Sequence, residues 1–232
     1  AEVPRLPGVS TIGAMNVTDT DTIELAEITV RRIVVGELQN NVYLLTSKEH
    51  GSQVLIDAAA DSRAIAGLVG AGSGDCSLSG SLQMIITTHA HPDHVGALAE
   101  VKSRSEAVTA CGTDDADDID VDMDLTLDDG DVAEFEGFDL EVIGLPGHTP
   151  GSIGLVYRDP DGPARIFTGD ALFPGGVGKT TSPDAFQQAF TNVVGRIFDR
   201  FDDDTVIHPG HGESTTVGAE RPHLEEWRER GW

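Results

Sequence analysis

The sequence predicts an α/β fold in which two β-sheets pack face to face and helices lie on the outside. Three observations support this prediction: apolar segments rich in isoleucine and valine recur in both halves of the chain, helical patterns separate them, and the loops after them carry histidine and aspartate. The 232 residues and the absence of a short-period repeat predict a single domain over 1–232, with its core at about 24–220.

The first half of the chain contains four predicted strands and two predicted helices. The strands are ELAEITVRRIVV (24–35), NVYLLTS (41–47), SQVLIDA (52–58) and SLQMIITTH (81–89). Helical patterns cover 61–69 and 95–102. The polar segment HAHPDH, residues 89–94, therefore lies where a buried strand ends and a helix begins.

The second half repeats this organisation. Strands are predicted in FDLEVIG (138–144), GSIGLVYR (151–158), ARIFTGD (164–170) and DTVIHPGHG (204–212). Apolar residues at helical spacing predict a core-facing helix over 182–201, with Ser182 as its N-cap and Pro183 in its first turn. A short terminal helix is predicted over 221–232. Polar residues again follow the strands, at His148, Asp170 and His211.

The chain is strongly acidic. Aspartate and glutamate number 40 against 15 lysines and arginines, for a formal net charge of −25. Such a surface repels nucleic-acid phosphates and anionic membranes, so we expect a small-molecule substrate and neither a nucleic-acid nor a membrane partner. The densest run, DDADDIDVDMD at 114–124, is typical of a solvated acidic loop, since it lacks the pattern of an EF-hand calcium loop. We also hypothesise a high-salt habitat, in which cations screen the self-repulsion.

Three features favour a cytoplasmic location. No segment approaches the ~20 consecutive apolar residues of a membrane-spanning helix. The N-terminal AEVPRLPGVS has no signal-peptide pattern, which favours this location unless a leader has already been removed. Cys76 and Cys111 form no CxxC motif, so we expect both to be reduced, with one disulfide as the alternative. The oligomeric state has no signature in the sequence.

The segment HAHPDH places three histidines and an aspartate within six positions. His89 and His91 are two residues apart, so in an extended segment their rings lie on one side and can bind one ion. Asp93 and His94 can serve a second ion close by. Imidazole and carboxylate ligands suit Zn²⁺, Fe²⁺ or Mn²⁺. Four ligands are too few for two catalytic ions, and residues on the later loops would complete the set: His148, Asp170 and His211.

The other three histidines are expected to lie outside this set. His208 ends a predicted strand, where a packing role is favoured over metal ligation. His50 lies in a predicted turn and His223 lies near the C-terminus. Both are expected at the surface.

Four segments, in this order, resemble the signature of the metallo-β-lactamase superfamily: HAHPDH (89–94), PGHTPGS (146–152), TGDALF (168–173) and PGHG (209–212). The resemblance extends over about residues 30–220. It implies an αββα sandwich with the site at one sheet edge. It also implies one metal held by His89, His91 and His148, a second held by Asp93, His94 and His211, and Asp170 bridging the two.

Within this superfamily the chain is most similar to the short, single-domain hydroxyacylglutathione hydrolases of the glyoxalase II type. The resemblance implies a dinuclear metallo-hydrolase of thioesters that uses a hydroxide bridging two divalent ions, with zinc expected and iron or manganese as alternatives. Asp93 would orient the nucleophile as well as bind metal. GGVGKTT, residues 175–181, resembles the stretch that holds the thiol carrier, which makes Lys179 a candidate to bind a substrate carboxylate.

Two other activities of the superfamily are alternatives. A persulfide dioxygenase would use a single iron, with ligands corresponding to His89, His148 and Asp170. A lactone hydrolase is the further alternative. A non-catalytic binding module is the least favoured function because the set of seven ligands is complete.

Overall fold

Two β-sheets form the centre of the molecule. The structure, a computed structural model, describes residues 21–231. Within this range the strands are, in chain order, β1 (Asp21–Glu24), β2 (Ile28–Val35), β3 (Asn40–Ser47), β4 (Ser52–Ile56), β5 (Ser81–Thr87), β6 (Val108–Gly112), β7 (Leu125–Leu127), β8 (Val132–Phe135), β9 (Phe138–Gly144), β10 (Ile153–Tyr157), β11 (Arg165–Gly169), β12 (Leu172–Phe173), β13 (Gly176–Val177), β14 (Val206–Pro209) and β15 (Thr215–Thr216). The α-helices are α1 (Ser62–Gly72), α2 (Pro92–Val95), α3 (Leu98–Arg104), α4 (Pro183–Val193), α5 (Val217–Glu220) and α6 (Leu224–Arg230).

The strands form two large sheets and one small hairpin. The first sheet has the order β1-β2-β3-β4-β5-β6-β7, antiparallel from β1 to β4 and parallel from β4 to β7. The second sheet has the order β15-β14-β11-β10-β9-β8, in which β11 and β14 are the parallel pair. β12 and β13 pair with each other as a separate hairpin. Because β5, β11 and β14 end at one edge, the loops that follow them can meet there.

Three apolar layers hold the sheets and helices together. Between the sheets, Val30, Leu45 and Ile56 of the first sheet pack with Leu140 and Leu155 of the second. The outer face of the first sheet is covered by α1 and α3, and that of the second by α4 and α6. Burial of these side chains supplies most of the free energy of folding, at about 25 cal/mol per Å². The predicted αββα sandwich is confirmed.

Two predicted elements are interrupted. The strand predicted over 24–35 is split by a turn in which the Leu25 amide donates to the Ile28 carbonyl at 2.9 Å, so β1 folds back on β2. The helix predicted over 95–102 breaks into α2 and α3, because the Ala97 amide donates to the Ala58 carbonyl at 2.9 Å. This tertiary hydrogen bond competes with the regular helical pattern.

The long amphipathic segment begins as predicted. Ser182 is the N-cap of α4, and its Oγ accepts from the Ala185 amide at 3.1 Å. The helix then continues as a π-helical turn over Val194–Phe198. Phe186 and Ile197 are buried against the second sheet, so the predicted core-facing stripe is confirmed.

Other expectations have varied outcomes. Strands β6, β7, β8, β12, β13 and β15 lie outside the strands that the sequence predicts. Both cysteines are free thiols, as expected. The terminal segment begins as a 3₁₀ turn over Arg221–His223 and continues as α6.

Among residues 21–231, no helix has the length and apolar character needed to cross a bilayer. The AEVPRLPGVS segment, and with it the ends of the predicted domain, lies outside the described residues, so the domain extent stays a prediction.

Candidate metal centre

The seven predicted ligands lie together at one edge of the two sheets. They come from four segments: the loop after β5 with the helix α2 into which it leads, and the loops after β9, β11 and β14. Within the described chain, three overlapping groups bring their nitrogen and oxygen ligand atoms within 4.8 Å of one another: His89, His91 and His148; His89, His94 and Asp170; and Asp93, His94 and His211. Metal ligation by these residues stays a prediction, but the structure brings all seven together.

The geometry of HAHPDH follows from its local sequence. Strand β5 ends at Thr87, and the buried His89 is the second residue after it. His91 is extended, with φ −63° and ψ 140°, and Pro92 is the first residue of α2. Proline fits the first helical position because it lacks the amide hydrogen that would have no partner there. The turn therefore places His89 and His91 before the helix and Asp93 and His94 within it.

One group of donors is formed by three imidazoles. His89 Nε2 lies 3.1 Å from His91 Nδ1. The ring of His148 lies with its centroid 4.8 Å from that of His89 and 4.5 Å from that of His91. Three ring nitrogens that converge in this way suit a divalent transition metal.

The second group combines a carboxylate with two imidazoles. His211 Nε2 lies 3.3 Å from Asp93 Oδ2 and 3.3 Å from His94 Nε2. Asp170 lies between the two groups: its Oδ1 is 3.3 Å from His94 Nε2, and its Oδ2 is 3.7 Å from His148 Nε2. The position of Asp170 agrees with the bridging role implied by the resemblance.

Two buried polar atoms test whether this set fits metal ions. His148 Nε2 and Asp170 Oδ1 are buried and make no hydrogen bond of normal geometry within the described residues, although Asp170 Oδ1 lies 3.3 Å from His94 Nε2. Buried polar atoms are rarely left unpaired, because the lost hydration is costly. Both atoms point into the cluster of imidazoles and carboxylates, which are the donors that zinc, iron and manganese accept. The residues therefore fit divalent metal ions.

A buried aspartate orients the second group. Asp57 follows β4 and has a positive φ of 59°, which turns its side chain toward the site. Its carboxylate accepts from the Thr88 amide at 2.7 Å, from Thr88 Oγ1 at 2.8 Å and from His94 Nδ1 at 2.8 Å. Carboxylates that hold the second nitrogen of a ligating histidine fix its tautomer and ring orientation. The sequence prediction missed Asp57, although a carboxylate directly after an apolar strand was a usable signal.

Two of the other imidazoles, those of His211 and His148, are held by backbone carbonyls. His211 Nδ1 donates to Leu38 O at 2.9 Å, and His148 Nδ1 donates to Lys179 O at 2.7 Å. Each histidine therefore turns its Nε2 toward the centre. The Lys179 side chain is exposed and accessible to a substrate. Its role in substrate binding stays a prediction.

Asp115 corrects the expectation for the acidic run at 114–124. This residue lies in a 3₁₀ turn and is fully buried, whereas a solvated loop was predicted. Its carboxylate accepts from the Ala90 amide, from Thr149 Oγ1 and from the Gly151 amide at 2.8, 2.6 and 2.6 Å. It thereby joins the loops that carry His89 and His148. The long-range partners of one aspartate among many leave no local signal in the sequence.

The electrostatics of the cluster differ from residue to residue. Burial, together with the neighbouring His94, lowers the pKa of His89 strongly, and burial also lowers the pKa of His148. Burial opposes the charge of His94, but the carboxylates of Asp57 and Asp170 outweigh it and raise the pKa of His94 to about 10. Burial opposes ionisation of Asp93 too, yet hydrogen bonding from the Asn40 amide group lowers the pKa of that carboxyl. In the absence of a bound ion, these shifts favour a charged His94 beside neutral His89 and His148.

The three remaining histidines lie outside the cluster. His208 is buried, its ring stacks on Phe167 with centroids 5.0 Å apart, and its Nδ1 lies 2.8 Å from Ser214 Oγ. The packing role expected for His208 agrees with these contacts. His223 is exposed, and His50 is half-buried in the turn between β3 and β4.

Comparisons of the sequence with known proteins identify its family and a similar enzyme. The sequence profile of the metallo-beta-lactamase superfamily matches residues 35–211. The hydroxyacylglutathione hydrolase GloC of Haemophilus influenzae is 31% identical over 160 residues, which cover 61% of this chain and 74% of that protein.

Two crystal structures share the fold. TTHA1623 in a di-iron-bound form has a TM-score of 0.64 and 29% identity, covering 82% of this chain and 96% of that one. ETHE1 from Myxococcus xanthus has a TM-score of 0.71 and 24% identity, covering 86% of this chain and 84% of that one. At that identity the second likeness concerns the fold alone.

Proposed function

Because the chain belongs to the metallo-beta-lactamase superfamily and is a metallo-hydrolase of that superfamily, we propose that it hydrolyses thioesters at a dinuclear metal centre. The observation that carries this proposal is the position of Asp170 between two groups of donors, one of three histidines and one with Asp93, His94 and His211. A single-ion site would leave the second group without a function. Zinc is the proposed metal, and iron is the second choice because TTHA1623 is described in a di-iron-bound form.

The proposed chemistry is metal-assisted acyl transfer to water. When bound, divalent ions supply Lewis acidity and lower the pKa of water, so that hydroxide is available near neutral pH. Asn40 Nδ2 donates to Asp93 Oδ2 at 2.8 Å and fixes the orientation of that carboxylate. Asp93 in turn orients the attacking water. The thiol of the leaving group has a pKa of about 8.5, so it departs as the thiolate without taking up a proton. An amine leaving group would need a general acid.

The proposed substrate is a hydroxyacyl thioester whose thiol carrier bears a carboxylate. The similarity to GloC supports a glutathione thioester as the first candidate. Lys179 lies on the exposed side of the site, and its carbonyl is bound to His148, so the side chain starts close to the metal centre. We propose that its ammonium group binds the carboxylate of the carrier.

Metal content and thioester turnover test the proposal together. Protein purified without added metal should contain about two divalent ions per chain by mass spectrometry and should hydrolyse S-lactoylglutathione. Asp170→Ala should lose at least one ion and reduce kcat/KM by about a thousandfold or more. Asp184→Ala, an exposed position at the start of α4, is the control and should leave both unchanged. Full activity of Asp170→Ala would refute the proposed centre.

Persulfide dioxygenase is the second candidate. The observation that favours it is the approach of His148 Nε2 to Asp170 Oδ2 at 3.7 Å beside the ring of His89, since these three residues would hold a single iron. One iron per chain and oxygen consumption with glutathione persulfide would support this activity. Release of a hydroxy acid from a lactone panel would instead support the lactone hydrolase.

A further inference from the structure

The hairpin that leads to Lys179 is not part of either large sheet. β12 and β13 pair only as Leu172 with Val177 and Phe173 with Gly176 among the described strands. Two-residue strands supply few hydrogen bonds, so a hairpin of this size needs other contacts to keep one position. Its tip, Pro174 and Gly175, is exposed.

Both backbone polar groups of Gly175 are held by side chains from the C-terminal segment. The Gly175 amide donates to Glu220 Oε2 at 2.9 Å. Arg230 Nη2 donates to the Gly175 carbonyl at 2.9 Å. Glu220 ends α5 and Arg230 ends α6, so two separate helices hold the same residue.

Glu220 also connects the hairpin to the strand that follows the His211 loop. Its Oε1 accepts from Thr215 Oγ1 at 2.6 Å, and the residue is only 7% exposed. Burial of a carboxylate is costly unless hydrogen bonds replace its hydration. The Gly175 amide and the Thr215 hydroxyl are uncharged donors, so the contribution of Glu220 lies in joining two loops of the site rather than in an ion pair.

The other end of the hairpin is tied to the metal centre. A Cβ atom at Gly178 would lie 1.8 Å from the carbonyl oxygen of Asp170, so the chain passes against Asp170 with no space for a side chain. The next residue is Lys179, whose carbonyl accepts from His148 Nδ1 at 2.7 Å. A shift of the hairpin tip is therefore transmitted to the start of the Lys179 side chain.

We propose that Glu220 and Arg230 are positioning residues for substrate binding, which fix the β12–β13 hairpin so that Lys179 meets a carboxylate on the thiol carrier. This inference rests on the proposed thioesterase function. His94 and His211 donate to Asp57 and to the Leu38 carbonyl, which lie outside the hairpin, whereas the Lys179 carbonyl links the hairpin to His148. Loosening the hairpin tip therefore weakens binding of carboxylate-bearing thioesters more than it slows bond cleavage.

Two thioesters separate this role from a general structural one. S-lactoylglutathione carries carboxylates on its thiol carrier, whereas S-acetyl-N-acetylcysteamine carries none. Glu220→Ala should raise KM for the first by about fivefold, the effect of one lost hydrogen bond, with kcat within about twofold. For the neutral thioester, kcat/KM should stay within about twofold. Glu220→Gln, which keeps an acceptor oxygen, should restore KM for S-lactoylglutathione to near the wild-type value.

Further variants complete the test. Arg230→Met, at a partly exposed position, should give the same selective rise in KM and remains informative if Glu220→Ala does not fold. Glu225→Gln, on the exposed face of α6, is the matched control and should leave KM and kcat unchanged for both thioesters. In Lys179→Ala, addition of Glu220→Ala should raise KM no further, because the two residues act through one contact.

The outcomes are distinct. An unchanged KM in both Glu220→Ala and Arg230→Met, or an equal loss of kcat/KM for the two thioesters, would overturn the positioning role while leaving the thioesterase intact. A wild-type enzyme that hydrolyses neither thioester would overturn the proposed function, and the positioning role with it. Metal content of each variant, measured in the same samples, should equal that of the wild type.

Discussion

Replacement of Asp57 by asparagine removes the charge beside His94 while leaving the size of the side chain almost unchanged. In the native structure one carboxylate oxygen accepts from the Thr88 amide, and the other accepts from Thr88 Oγ1 and from His94 Nδ1, all at 2.7 to 2.8 Å. An amide group has a single acceptor oxygen. Whichever way this amide is oriented, its NH₂ group faces at least one of the groups that donate to the Asp57 carboxylate in the native structure. That donor then has no acceptor.

The magnitude follows from these contacts. The Thr88 hydroxyl can rotate and accept from the new amide, so the loss falls on the bond to His94. A hydrogen bond to a charged group contributes about 1.5–3 kcal/mol. If that bond fixes a metal ligand, its loss corresponds to about 10- to 100-fold in metal affinity, the range found for outer-shell partners.

Zinc affinity of apo-protein, measured by competition with a chromophoric chelator, checks this prediction. Asp75→Asn is the control, because Asp75 is a buried carboxylate that binds Arg31 through two hydrogen bonds at 2.5 and 2.6 Å, away from the metal centre. Urea unfolding should show both variants destabilised. Only Asp57→Asn should bind zinc more weakly, and wild-type zinc affinity in that variant would refute the role assigned to Asp57.

Three further predictions concern pH, thiol reactivity and salt. Burial, with Arg165 nearby, lowers the pKa of His208 from 6.5 to about 3. Between these two pH values the unfolded chain therefore binds more protons than the folded chain. The contribution of His208 to the free energy of unfolding should be complete above pH 6.5 and should fall by about 2 kcal/mol at pH 5. Urea unfolding at pH 7 and 5 should show a smaller loss in His208→Gln than in the wild type, and equal losses would contradict the prediction. Burial raises the pKa of the Cys111 thiol to about 11. In Ellman titration of the folded protein, Cys76 should therefore react first, and Cys111 should react only in denaturant. Similar rates for the two thiols would be inconsistent with the structure. The net charge of −25 should make the melting temperature rise between low and molar KCl, and an unchanged value would exclude the high-salt hypothesis.

The sequence carries strong signals for the strands and for the predicted ligands. β3, β5 and β11 are apolar runs bounded by turn residues, and each ligand lies just after such a run or at the start of a helix. The residues of the candidate site could therefore be selected in advance, because their chemistry is carried by residue type and by their position at strand ends. The same holds for the Ser182 cap, whose hydrogen bond is local.

The interactions that were missed are long-range. Asp57 and His94 are 37 positions apart, and Asp115 and Gly151 are 36 positions apart. No periodicity in the sequence distinguishes Asp115 from the solvated aspartates around it. β7 and β8 flank a stretch rich in aspartate, and their pairing partners rather than their composition define them as strands.

The site is distributed along nearly the whole described chain, from Asn40 at the start of β3 to His211 after β14. No fragment much shorter than residues 40–211 contains it, and its closure requires parallel pairings between strands that are far apart in sequence, such as β11 with β14. Contacts of this kind form slowly, because loop entropy is lost before they contribute. Metal loading is therefore expected late in folding, after the sheets have docked. A partly synthesised chain would lack the assembled metal site. Added metal ions would therefore stabilise only the fully folded protein.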